Sequence, residues 1–138
     1  MTADALQAMI VAFATMAKIQ SHRDLLVWQK AMDLAVLVYE LSAKFRPKET
    51  YRLVSQITRG ASSVAANIAE GHARGTRPDY CHFLSAAKGS LMETETFVTL
   101  SVRLGYVTQA EAQRVLDLIT EISKMLTALR SRLMETHS

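Results

Sequence analysis

Four stretches of the chain repeat apolar residues every three or four positions, the period of an amphipathic helix. Short breaks carrying proline, glycine or a capping hydroxyl separate them. The first helix is expected over about 22–45. Ser21 and Asp24 stand at capping-box spacing. Leu25, Trp28, Met32, Ala35, Val38, Tyr39 and Leu41 make its apolar stripe, and Pro47 stops it. The second is expected over about 48–70. Leu53, Ile57, Ala61, Val64, Ala65 and Ile68 share one face. Arg52, Gln56, Arg59, Ser63, Asn67, Glu70 and Arg74 share the other, and Gly71 stands at the C-terminal break. The third, about 78–104, opens behind Thr76 with Asp79 at N3 and ends at Gly105. Its inner line is Phe83, Ala87, Ser90, Leu91, Thr94, Phe97, Ser101 and Leu104. The fourth, about 109–134, opens with the capping box Thr108-Gln-Ala-Glu111. It carries a near-heptad seam of Val115, Leu118, Ile119, Ile122, Met125, Leu126, Leu129 and Leu133. Short connections make successive helices antiparallel. The predicted fold is therefore all-α, an up-down-up-down antiparallel four-helix bundle over 21–138.

Composition agrees with this. Apolar residues are 49% of 138 and aromatics 7%, so aliphatic and small side chains must fill the core. Of five glycines, only Gly60 and Gly89 fall away from an expected helix end. Gly60 costs about 1 kcal/mol of helix propensity relative to alanine. Its neighbours Ala61, Ser62, Ser63, Ala65, Ala66 and Ala69 are small, which predicts close backbone packing, with Gly89-Ser90 as a candidate opposing surface. The high apolar content also predicts a helix face left over for self-association. Residues 1–20 form an N-terminal extension, flexible or loosely helical. Its apolar run, ALQAMIVAFATMA, follows Asp4 and no Lys or Arg, which opposes a secretory signal. The run is too short to span a bilayer. Met9 and Met16 are alternative starts.

Charge is uneven. Residues 44–77 hold seven basic side chains (Lys44, Arg46, Lys48, Arg52, Arg59, Arg74, Arg77) against Glu49 and Glu70, a surplus of five. The whole chain is +3, so the remainder is −2. Such a surplus favours an anionic partner, and Arg at helical spacing can meet successive phosphates. These seven residues are the candidate nucleic-acid contacts; no stacking platform for single strands is visible, Tyr51 and Tyr80 being the only candidates near the patch. Catalytic constellations are missing. Glu93 and Glu95 point apart, no Glu-x-x-His pair suits a di-iron bundle, and no nucleophile elbow or phosphate-cradling glycine loop occurs. No metal-ligand spacing is present, so neither metal nor cofactor is expected. Asn67, Glu70 and Glu93 are read as structural polar residues that meet inside the bundle. The single Cys81 rules out an internal disulfide and fits a reducing, cytoplasmic setting.

The segments DLLVWQKAMDLAVLVYELSAKF, QITRGASSVAANIAEG, FLSAAKGSLMETE and LGYVT, in that order, resemble the 23S rRNA-intervening-sequence protein family over about 23–133. The resemblance implies a small bacterial four-helix bundle assembled as a homo-oligomer, a ring-like pentamer. It also implies a likeness in fold to the accessory proteins of diversity-generating retroelements, basic pentameric barrels that bind a reverse transcriptase and nucleic acid. It supplies no catalytic residue. The expected function is a non-enzymatic, homo-oligomeric bundle that binds RNA or DNA through a basic surface, without a membrane partner. The alternative is an adaptor that docks a polypeptide such as a reverse transcriptase.

Overall fold

A computed structural model of the chain describes residues 2–7 and 20–135. Residues 3–7 are helical, with the Thr2 hydroxyl accepting from the Ala5 amide. The rest of the predicted N-terminal extension, 8–19, lies outside the described residues. Four long helices follow: α1 (Leu26–Ser42), α2 (Ser55–Ala73), α3 (Arg77–Arg103) and α4 (Gln109–Glu135). Each packs on two neighbours, α1 on α2, α2 on α3, α3 on α4, and α4 back on α1. The α2–α3 interface is the broadest. Cross-helix pairs fix the directions. Lys44 reaches Glu111 and Lys30 reaches Glu121, so α1 and α4 run oppositely. Ser63 meets Ser90, and Gly71 lies against Phe83 and Tyr80, so α2 and α3 do too.

The core is aliphatic. Leu34, Val38, Ile57, Val64, Ile68, Leu84, Leu91, Val98, Ile119, Ile122 and Leu126 are all buried. On α2 the expected inner face is observed, with Gly60 and Gly71 added to it. On α3 the line turns by about one position. Leu84 and Val98 are buried, Phe83 and Phe97 are half-buried, and Leu104 is 49% exposed.

On α1 the stripe differs more. Val27, Ala31, Leu34, Val38 and Leu41 face the core. Met32 and Tyr39, expected inside, are 43% and 57% exposed, and Val36 between them is 56% exposed. The reason is that α1 is apolar on two arcs. At 100° per residue the outward arc of Met32, Val36 and Tyr39 lies roughly 140° from the buried one. Periodicity alone cannot say which arc turns inward.

Helix ends also depart from expectation. Ser21 and Asp24 do form a capping box, but on a 3₁₀ turn, His22–Asp24. Extended backbone at Leu25 then delays α1 to Leu26. The Gln20 amide, then that of Ser21, hold the Asp24 carboxylate below its usual range. Gly71 does not end α2. The helix runs on to Ala73, and Gly75, at φ +83°, makes the left-handed turn. Gly71 instead permits contact. A Cβ there would sit 2.8 Å from Phe83 Cβ and 3.3 Å from the Tyr80 carbonyl oxygen. Gly60 likewise faces Thr94 Oγ1, at 3.1 Å from a built Cβ. Gly89 faces nothing within 4 Å, so of the expected Gly89-Ser90 pair only Ser90 meets α2.

Candidate nucleic-acid interface

The chain between α1 and α2 is not a simple turn. Pro47 opens a 3₁₀ turn, Pro47–Glu49, and a π-helical turn, Thr50–Val54, leads into α2. Its anchor is Glu49, whose side chain turns inward and is 7% exposed. One carboxylate oxygen accepts the Tyr106 hydroxyl at 2.8 Å, and the other accepts the Leu53 amide at 3.4 Å. The Tyr106 hydrogen bond, then the Leu53 amide and the nearby Arg52, hold the Glu49 carboxyl below its usual range. The same bond to Glu49, with desolvation, raises the Tyr106 phenol above its own. Tyr106 is fixed from its faces as well. Phe45 lies 5.5 Å away between ring centroids, and the Arg46 guanidinium stands 5.9 Å over the ring.

The seven basic residues do not form one patch. Lys44 pairs with Glu111, whose carboxylate also accepts the Thr108 amide in the expected capping box. Those contacts, Lys44 first, bring the Glu111 carboxyl down to about 2. Arg46, Lys48 and Arg52 gather around the Glu49–Tyr106 pair and are exposed. Arg59 is exposed about two turns further along α2, roughly 10 Å by helical rise. Arg74 is a further ~22 Å away. There it pairs with Glu70 at 2.8 Å and stands 5.0 Å over the Phe83 ring. Arg77 opens α3 at that far end. Among the described residues Lys48, Arg52 and Arg59 make no ion pair.

The structural polar trio divides. Asn67 donates to the Ser63 carbonyl and hydroxyl, at 2.8 and 3.0 Å, and Ser63 meets the Ser90 hydroxyl at 3.0 Å, a polar rung between α2 and α3. Glu70 and Glu93 are exposed and do not meet Asn67 inside the bundle. A carboxylate at either position finds water on the outer side of the α2–α3 seam, which avoids the cost of burying its charge. The residues that sequence reasoning missed are Glu49 and Tyr106. A proline two residues before an acid, inside a basic stretch, was the available signal.

Elsewhere the described surface carries shallow grooves. A cavity of about 380 Å³ between α3 and α4 is lined by Leu84, Lys88, Gly89, Met92, Leu126 and Arg130, among others. Lys88 there donates to the Thr127 hydroxyl at 2.7 Å. A wider cleft of about 650 Å³ between α1 and α4 mixes Asp33, Glu40, Asp117 and Glu121 with Arg114. Among the described residues no group of three or more His, Cys, Asp or Glu could hold a metal ion. No described helix is long and apolar enough to cross a membrane.

The family described as 23S rRNA-intervening sequence protein matches residues 23–128. A crystal structure of a protein of unknown function from the S23 ribosomal protein family of Bacteroides thetaiotaomicron is similar in fold. Its TM-score is 0.69 at 27% identity, over 76% of this chain and 98% of that one. No curated protein matches the chain.

Proposed function

Because the chain belongs to the 23S rRNA-intervening sequence protein family, whose crystallised relative carries no assigned function, we propose a role from its own surface: a non-enzymatic, self-associating helical bundle that binds RNA or DNA by phosphate contact. The observation that carries this reading is the exposed set Arg46, Lys48, Arg52 and Arg59 at one end and along one face of the bundle. The last three make no ion pair among the described residues. Cations not held in an ion pair are the ones most available to a polyanion, which releases its counterions on binding them.

Self-association rests on the outward arc of α1. Met32, Val36 and Tyr39 lie on a face that includes Ala43 and no Lys or Arg, the composition of an interface core. A ring of five copies, as the family resemblance implies, would repeat the basic end around an axis and turn weak sites into avid ones.

The test is fluorescence anisotropy with a structured RNA and a duplex DNA of equal length at two salt concentrations. Replacing Lys48, Arg52 and Arg59 together by Ala should weaken binding of both probes and lower the salt slope by up to about three. Unchanged affinity and slope in the folded variant would refute the assignment. Light scattering of the intact chain should give an oligomer, and Val36→Asp should dissociate it. A monomer at high micromolar concentration would instead favour the second reading, an adaptor whose α1 face docks a partner polypeptide.

A further inference from the structure

Tyr51 is 93% exposed, the most exposed large hydrophobic side chain among the described residues. An aromatic ring held almost wholly in water has no packing reason to be there. Its backbone position is nevertheless well defined. It belongs to the π-helical turn, a local device found often at functional sites. Glu49 pins that turn from beneath through the Leu53 amide and the Tyr106 hydroxyl, and the Thr50 hydroxyl closes onto the Pro47 carbonyl at 2.8 Å.

The exposed charges that flank the ring in sequence are cationic, Glu49 being turned inward. Lys48 lies three residues before it and Arg52 directly after it, both exposed and without an ion pair. Arg46 stands over Tyr106 just below. From the facing elements, Arg103 at the end of α3 adds a further cation at the same pole. Of the acids near this end, Glu49 turns inward to Tyr106, Glu111 pairs with Lys44, and Glu40 lines the α1–α4 groove beside Lys44.

We infer that this end of the bundle, residues 46–52, is a single-stranded nucleic-acid site in which the Tyr51 ring stacks on an unpaired base while Lys48 and Arg52 hold the adjoining phosphates. The inference rests on the nucleic-acid reading above and narrows it. Every base has a π-face, and base–aromatic stacking beside a cationic groove is how single strands are held without sequence preference. A duplex hides its base faces in the stack and offers this end only charge. An acidic polypeptide also offers only charge. The unpaired strand alone uses both the ring and its cations.

The test uses the full chain, a labelled oligothymidylate, a duplex of the same length, and poly-glutamate as competitor. Tyr51→Ser should lower affinity for the single strand roughly 5- to 100-fold, the range of one lost stacking contact. It should leave the duplex affinity and both salt slopes unchanged, and Tyr51→Phe should keep the single-strand affinity within about twofold. Because the side chain is exposed, thermal unfolding of both variants should match the parent. The inference is overturned if Tyr51→Ser binds the single strand like the parent, if it loses equally on duplex, or if poly-glutamate competes as well as the oligonucleotide. If Lys48→Ala/Arg52→Ala weakens both probes while Tyr51→Ser weakens neither, the stacking site falls and the phosphate reading stands. If the parent binds neither probe at low salt, both fall.

Discussion

Alanine placed at Gly71 and at Gly89 should move stability in opposite directions. Both positions lie inside helices, so each substitution gains about 1 kcal/mol of helix propensity. What the new methyl meets decides the sign. At Gly89 it meets nothing within 4 Å, and the gain should survive as about 0.5–1 kcal/mol of added stability. At Gly71 it would come within 2.8 Å of Phe83 Cβ, 3.2 Å of Tyr80 Cδ1 and 3.3 Å of the Tyr80 carbonyl oxygen. Two of those atoms belong to the α3 backbone or are bonded directly to it, so no rotamer change relieves the contact. Helices α2 and α3 must separate locally. Overpacking of this kind costs about 1–3 kcal/mol, and the upper half of that range leaves a net loss of about 1–2 kcal/mol. Gly60 falls between, since its 3.1 Å contact is the Thr94 hydroxyl, which can give slightly at the expense of its bond to the Ser90 carbonyl. Urea denaturation of the three variants and the parent, at one fixed protein concentration, reads the differences from the midpoints at constant m. If Gly71→Ala proves as stable as Gly89→Ala, the close approach of α2 to α3 is wrong.

The two arcs of α1 predict a second contrast. Leu34→Ala, at a fully buried position, should cost about 2–5 kcal/mol, whereas Met32→Ala should change stability by under about 0.5 kcal/mol in a denaturant series run dilute enough to keep the chain monomeric. Acid titration gives a third. Glu111 and Glu49 have folded-state values below their unfolded ones, so their contribution is present above about 4.5 and is lost as pH falls, for Glu111 toward about 2. Glu111→Gln should therefore flatten the loss of thermal stability between pH 4.5 and 2. Tyr106 is shifted the other way, so its contribution is complete below pH 10 and disappears above it. Tyr106→Phe should remove that alkaline limb in circular dichroism melts.

Features decided by neighbouring residues were legible in the sequence. Ser21 with Asp24, Thr76 with Asp79, and Thr108 with Glu111 cap their turns as their spacing predicts. The inner face of α2 was legible because its opposite face is plainly polar. α1 has no such contrast, and its buried arc is chosen by how α2 and α4 close on it. Gly71 fits the pattern of a helix-ending glycine, and only the approach of Phe83 shows its other use. Burial of Glu49 needs a partner 57 residues away, Tyr106, which no local pattern announces. The basic segment was legible as a sum but not as a surface. The helical rise spreads its arginines along the bundle, and Glu70 and Glu111 neutralise two of its cations.

The circular order of contacts also sets an order of assembly in time. The broadest interface, α2 on α3, is closed by a break of only three residues, so its contacts are cheap in chain entropy. The α1–α4 seam joins Lys44 to Glu111 across 67 positions and Lys30 to Glu121 across more, and must wait for most of the chain. The α2–α3 hairpin is thus the natural nucleus, and α1, tethered to it by the longer connection 43–54 where α4 has 104–108, is the last helix to dock. Amides of α1 should exchange with solvent at lower opening free energy than those of α3. This late-docking helix is also the one with the outward apolar arc. A neighbour seated on that arc would clamp the least secure element of the fold, and assembly would then complete folding rather than merely follow it.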